Sequence, residues 1–421
     1  MLGLKQYCIF FSLILCVSTS HAADFAENLY TGYKEVLYQI KIIDNESGQK
    51  STIGSGFIIN GQGLAVTNYH VVSDFILYPD KNRIEVEDID GKVSQASLVN
   101  FDVINDLALI QIQGDALRSK YLPIATQLPT QGSTIYSLGN PHDLGMIVVP
   151  GTYNGLKQNS FYQKIHFTGS VNSGMSGGPV VNESGEAMGV NVATAGNQLG
   201  FLVPLNKLKA LINKNKTIEI GDYKKTIAEQ LQQNQRQLIA QLTAVQWPKT
   251  PLGMADVPDA MADFITCWGG SNADDKEAQY LAVRKSCSLD QTIYISRRMQ
   301  TGRVAANFEW YSSDKLNGFR FYNMIDKQMR MMMYQDGSSK EDFSEYQCQR
   351  DVIENVNNVK FKSAICVKNY KEFVGLFDVL FVSATLDKSN ASLVSRFYLS
   401  GISQASYKAF TPVFMDAISW Q

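Results

Sequence analysis

The sequence predicts a mostly β chain, with a helical connector and a terminal α+β domain. Three observations point there. The chain has 421 residues, too many for one core of ordinary size, so two folded units are expected. Short apolar runs rich in Val and Ile, punctuated by Gly, Pro and Asn, recur through the first half. Past about Met254 the composition changes, and Cys267, Cys287, Cys348 and Cys366 all fall there.

Residues 1–22 read as a secretory leader. Lys5 supplies the positive start, Ile9 to Val17 the apolar stretch, and Ser20-His21-Ala22 a small-residue cleavage site. The apolar run is too short for a membrane span. A lipid anchor at Cys16 is disfavoured because bulky Leu15 precedes it. The mature chain then starts near Ala23 with no stable membrane anchor, in a periplasmic or secreted location.

The next unit is assigned residues 23–215. Gly54 to Asn60 reads as a strand, Gly61-Gln62-Gly63 as a turn, and Leu64 to Thr67 as the return strand. His70 follows, at the end of that strand. Asp106 opens Leu107-Ala108-Leu109-Ile110-Gln111-Ile112, an apolar run of strand length. A carboxylate at the mouth of a buried strand is well held, and Asp102 is the runner-up. Asp80, Asp88 and Asp90 lie in a charged, turn-rich stretch and read as surface.

Ser176 lies in Gly174-Met175-Ser176-Gly177-Gly178-Pro179. Glycines around a serine let the backbone turn tightly and aim N–H groups at a substrate carbonyl. The same pattern marks the nucleophile elbow of α/β-hydrolases, whose base follows the serine in the chain. Here His21, His70, His142 and His166 are the four histidines, and all precede Ser176. The elbow reading fails on order, and the order His, Asp, Ser survives. His142 and His166 read as structural or surface residues.

At this point the resemblance to a family is specific. The blocks GSGFIIN, VTNYHVV, NDLALIQI, SLGNPHDLG, GMSGGPVVNESGEAMGVNVA and GFLVP occur in that order over about residues 50 to 205. They resemble trypsin-like serine proteases, above all the bacterial high-temperature-requirement (Deg-type) branch. The resemblance implies a chymotrypsin-like double β-barrel, with His70 and Asp106 from the first barrel and Ser176 from the second. It also implies an oxyanion hole from the Gly174 and Ser176 N–H groups, protein or peptide substrates, and a possible homo-oligomer. By match to the family, Ser170, Asn191, Val192 and Ala193 wall the primary pocket. Ser170 stands where an acid would favour Lys or Arg, and Asn191 where glutamate-specific relatives carry histidine. A small or medium apolar residue before the cleaved bond is expected. Two departures stand out: Met175 replaces a polar residue before the serine, and no PDZ signature follows.

The protease unit is expected to end near Pro204 with a closing helix from Leu205 to Lys214. Residues 216–250 form the connector. In it, Ile227, Leu231, Leu238, Leu242 and Val245 make an incomplete apolar stripe at helical spacing. The stripe suits a helix docked on its own chain or an oligomerisation helix. Trp247-Pro248 and Pro251-Leu252-Gly253 end it.

Residues 251–421 have no recognised family. Strand-like runs are expected at Thr292–Ser296, Val304–Tyr311, Phe319–Tyr322, Val374–Ala384 and Leu393–Leu399, and helices at Asp275–Lys285 and Gln404–Trp420. Met329 to Tyr334 suits either core filling or an adaptable binding face. Four cysteines in an exported chain indicate two disulfides. Three pairings are open, and the shortest loops favour Cys267–Cys287 and Cys348–Cys366. A zinc site is the alternative, but the spacings lack C-x-x-C, so no metal is assigned. No cofactor is called for. A net charge of −2 gives no pointer to nucleic acid or an anionic membrane.

Three functions remain in contention: an exported serine endopeptidase with a role in protein quality control, a chaperone or binding protein on a protease fold, and a protease held latent until its C-terminal domain is engaged.

Overall fold

The computed structural model describes residues 21–114, 119–140, 145–194, 200–214, 216–333 and 339–421, with backbone alone for 21–24, 193 and 194. The expected leader, apart from its last two residues, lies outside these ranges, as does His142.

Helix α1 (His21–Tyr33) leads into a first set of strands: β1 (Leu37–Asp44), β2 (Lys50–Ile58) and β3 (Leu64–Thr67). Helix α2 (Tyr69–Leu77) follows, then β4 (Asn82–Glu87), β5 (Val93–Asp102) and β6 (Leu107–Ile112). These six strands close into a barrel in the order β1-β2-β3-β6-β5-β4. A second barrel, in the order β10-β11-β12-β9-β8-β7, uses β7 (Thr134–Gly139), β8 (Ile147–Leu156), β9 (Ile165–Thr168), β10 (Pro179–Val181), β11 (Ala187–Thr194) and β12 (Gly200–Pro204).

The near-continuous apolar run in β6 has a physical cause. Ala108, Ile110 and Ile112 fill the first barrel. Leu107 and Leu109 point the other way, joining Phe57 and Val66 against Tyr136, Leu138, Val181 and Val203 of the second barrel. A strand buried on both faces must be apolar at every position. The two barrels are joined by this apolar layer.

Helix α3 (Leu205–Asn213) closes the second barrel and α4 (Tyr223–Thr243) follows. Ile227, Leu231, Leu238 and Leu242 of α4 are fully buried within the chain, while Val245 is exposed. The stripe is therefore covered by the chain's own core, as the docked-helix alternative requires.

The remaining strands are β13 (Lys249–Leu252), β14 (Ala255–Pro258), β15 (Thr266–Ser271), β16 (Leu281–Ser288), β17 (Ile293–Ser296), β18 (Met299–Thr301) and β19 (Val304–Ser312). After α5 (Gly318–Met333) come β20 (Gln347–Glu354), β21 (Lys360–Asn369), β22 (Phe377–Thr385), β23 (Ala391–Ile402), α6 (Gln404–Asp416) and β24 (Ser419–Trp420). Seven strands form one antiparallel sheet, β15-β16-β19-β23-β22-β21-β20. Period-2 alternation sorts its two faces. Phe308, Phe381 and Phe397 meet Phe410 and Phe414 of α6 on one face. Leu380, Val382 and Val394 meet Phe321, Ile325 and Met329 of α5 on the other.

The disulfides are Cys267–Cys287 and Cys348–Cys366, the pairing with the shortest loops. Each joins directly opposed residues, and each ties an outermost strand, β15 or β20, to its only neighbour.

Three expectations are corrected. The strand expected at Phe319–Tyr322 is the first turn of α5. The stripe Phe321, Ile325, Met329 repeats at helical spacing and is buried, whereas Phe319 is exposed. The four-residue run was too short to reveal that period. The helix expected at Asp275–Lys285 gives way to turns and β16, because 281–288 gain a ladder on both sides. His70 is not on a strand: β3 ends at Thr67 and His70 lies in the first turn of α2.

Candidate active site

Asp102 organises the turn before β6. Its carboxylate accepts from the Ile104 and Asn105 N–H groups at 3.1 and 3.0 Å and from the Asn105 side chain at 2.7 Å. That turn ends at Asp106, held at φ +58°, a backbone region that Asp tolerates better than most residues. Asn68 helps hold it there by donating its side-chain N–H to the Asp106 carbonyl at 2.8 Å.

So placed, the Asp106 carboxylate meets His70 twice. Oδ1 accepts the His70 backbone N–H at 2.9 Å, and Oδ2 lies 2.7 Å from Nδ1. An ionised carboxylate only accepts, so Nδ1 carries the proton and Nε2 is left as the basic nitrogen. Both side chains are largely shielded from water. Of the two candidate acids, Asp106 is the one that faces His70.

The serine loop is fastened to the first barrel by Ser55, which the sequence reading did not single out. Ser55 donates its N–H to the Ser176 carbonyl at 2.8 Å and its Oγ–H to the Gly174 carbonyl at 2.7 Å. Its Oγ also accepts from the Asn140 N–H at 2.9 Å. A small polar residue between Gly54 and Gly56 was the available signal. Gly54 itself permits the approach: a Cβ there would lie 2.5 Å from Val71, the neighbour of His70, and 3.1 Å from the Ser176 carbonyl.

Among the described residues, the Ser176 hydroxyl donates to the Val192 carbonyl at 3.2 Å, and no hydrogen bond joins it to His70. Val192 falls at a register shift between β11 and β12, which leaves its carbonyl free of the ladder. The N–H groups of Gly174 and Ser176 have no protein acceptor among the described residues. Met175 between them is fully buried in the second barrel with Phe167 and Leu202, so its apolar side chain packs inward rather than toward the cleft. Its N–H bonds the Asn172 carbonyl at 3.0 Å and its sulfur accepts the Asn172 N–H at 3.4 Å.

The pocket residues separate. Ser170 is exposed and Val192 half-buried, and the Ala193 side chain lies outside the described residues. Asn191 is fully buried. Its Oδ1 accepts from Ser137 at 2.8 Å, its side-chain N–H donates to the Leu138 carbonyl at 3.1 Å, and its backbone bonds Gly177 and Gly178. It ties β11 to β7 and the serine loop.

Two closed barrels with a histidine–aspartate pair on one and a glycine-flanked serine on the other define the class of trypsin-like peptidases. Residues 54–190 match the family model of the trypsin-like peptidase domain, and the chain carries such a domain. It is 30% identical over 177 residues to serine endoprotease DegS of Escherichia coli, covering 39% of this chain and 48% of that protein. It is 32% identical over 165 residues to serine protease HTRA1 of Xenopus laevis, covering 37% and 34%. A serine endoprotease structure from Yersinia pestis aligns at 28% identity and a TM-score of 0.40, over 47% of this chain and 67% of that one. The chain thus spans about half the length, or less, of the curated relatives it matches.

Proposed function

We propose that this protein is an exported serine endopeptidase working through an acyl-enzyme. The observation that carries the reading is the double contact of Asp106 with His70, set opposite a serine loop that Ser55 binds to the same barrel. Ser176 attacks the peptide carbonyl as His70 Nε2 takes its proton. The Oγ–C bond forms and the carbonyl π pair moves to oxygen, where the Gly174 and Ser176 N–H groups receive it. His70 then protonates the leaving amine, and the C–N bond breaks. Water repeats the steps to release the acid. Asp106 keeps the imidazole in the right tautomer and stabilises the imidazolium.

The Ser176–Val192 bond bears on latency. A neutral hydrogen bond is worth only about 1 kcal/mol net, and a side-chain rotamer changes within nanoseconds or less. That bond alone is too weak a lock to hold the enzyme off. Export is supported by two disulfides, which persist in oxidising compartments. Among the described residues, no helix is long and apolar enough to cross a membrane. A quality-control role rests on the likeness to DegS and HTRA1, and it predicts unfolded proteins as substrates.

The test is fluorophosphonate labelling and cleavage of unfolded casein by the purified protein. Wild type labels and cleaves, and Ser176→Ala does neither. Labelling that persists in Ser176→Ala removes the nucleophile assignment. A wild type that never labels yet binds unfolded clients supports the chaperone reading instead.

A further inference from the structure

The hairpin β17–β18 comes from the C-terminal part of the chain and docks on α2, the helix that carries His70. Ile293, Ile295 and Met299 share one apolar cluster with Tyr69, Val72 and Ile76. The buried Tyr69 hydroxyl donates to the Ile295 carbonyl at 3.1 Å. At the hairpin's tip, the Arg297 guanidinium donates to the Ser51 carbonyl and, at 2.7 Å, to Thr52 Oγ1, and lies 3.6 Å from the Asp74 carboxylate. At its base, Gln291 bonds Ser160 at 2.8 Å and Tyr162 at 3.3 Å, beside β9 of the second barrel. The segment is thus anchored to both barrels.

Tyr294 is the residue this docking delivers. Its ring stands edge-on to the His70 imidazole, with centroids 5.9 Å apart. Asp106 holds His70 through Nδ1 and the backbone N–H, and the Tyr294 ring adds a contact to the imidazole itself.

We propose that Tyr294 is a positioning residue for His70, so that the C-terminal part of the chain completes the catalytic centre rather than serving only to recruit substrate. The proposal rests on the serine-endopeptidase reading for its kinetic consequence and on geometry alone for its spectroscopic one. A misplacement of about 1 Å can cost about a hundredfold in rate, which sets the scale of the effect.

The test uses the full chain with Tyr294→Leu, which keeps apolar bulk under the hairpin, and Tyr294→Phe, which keeps the ring. Two readouts are taken once thermal melts show both variants folded. One is steady-state cleavage of a peptide. The other is the low-field proton resonance of His70 Nδ1–H, protected from exchange by its bond to Asp106. The expected result for Tyr294→Leu is a fall in kcat of about 10- to 100-fold, KM within about threefold, and a broadened low-field resonance. Tyr294→Phe restores the resonance and brings kcat to within about threefold of wild type. A folded Tyr294→Leu with wild-type kcat and a sharp resonance overturns the proposal. So does a fall in kcat with the resonance unchanged, since the effect then acts elsewhere. If the resonance responds as expected while no form labels with fluorophosphonate, positioning stands and the endopeptidase reading falls.

Discussion

Gly177→Ala is the substitution that most directly tests how the two barrels share one site. Gly177 has φ +85°. A Cβ there would lie 2.3 Å from the Ser55 carbonyl oxygen, 2.3 Å from Thr67 Oγ1 and 3.0 Å from the Asn68 N–H nitrogen. None of these can yield cheaply, because Thr67 Oγ1 donates to that same Ser55 carbonyl at 2.8 Å inside the buried β2–β3 hairpin. The left-handed backbone costs an L-residue about 1–2 kcal/mol. Overpacking a close-packed site adds about 1–3 kcal/mol. The expected loss is about 2–5 kcal/mol, or roughly 4–20 °C in melting temperature for a unit of this size. The clash also pushes the serine loop away from the hairpin that leads to His70, so kcat falls by about a hundredfold. Gly48→Ala is the control: it shares a positive φ, +69°, but a Cβ there meets nothing within 4 Å. Differential scanning calorimetry and peptide turnover are measured on both. If Gly177→Ala melts no lower than Gly48→Ala and keeps its kcat, the close approach of the barrels is not what holds the site.

Three further outcomes follow from the same geometry. Asp106→Asn places an amide against Nδ1, disfavours the productive tautomer, and lowers kcat by about 10⁴; steady-state kinetics showing less than a tenfold loss would contradict this. In the C-terminal sheet, buried Asp378 accepts from Tyr370 at 2.8 Å, Tyr398 at 2.9 Å and the Gly401 N–H at 3.1 Å, with Lys368 at 3.5 Å. Asp378→Asn breaks this buried ion pair and costs about 3–5 kcal/mol; urea melts decide. Asp326 is held below the usual carboxylate value, first by Lys362 and then by Arg330. Its contribution is therefore present above 3.8, the ordinary value, and is lost as pH falls through the lowered folded one. Partly exposed, it is worth at most about 1 kcal/mol at pH 7. The gap in melting temperature between wild type and Asp326→Asn closes as the pH is lowered, and a gap independent of pH excludes the ion pairs as its cause.

How much was legible can be judged residue by residue. The hairpin into His70, the strand after Asp106 and the glycine-flanked Ser176 were readable because each depends on local chemistry: alternation, turn residues, and a strand buried on both faces. The β16 strand was not, because residues 281–288 are polar at half their positions and are held extended by two neighbours distant in the chain. Phe319–Tyr322 failed for the converse reason, as four residues cannot separate a period of two from one of 3.6. The burial of Asn191 was not legible either, because burial is a property of what packs around a residue. The hydrogen bonds that consume it come from Ser137 and Leu138.

By itself, the order of six short blocks pointed to a trypsin-like peptidase domain and to Ser176, His70 and Asp106 as candidate catalytic residues, with Asp102 as runner-up. Only the tertiary structure decided that Ser55 fastens the serine loop, that Asp102 folds a turn while Asp106 meets the histidine, and that Tyr294 stands against the imidazole. The reason is separation along the chain. Ser55 and Gly174 are 119 positions apart, and Tyr69 and Ile295 are 226 apart. No local pattern encodes contacts of that range, and they exist only once the barrels and the C-terminal sheet have packed together.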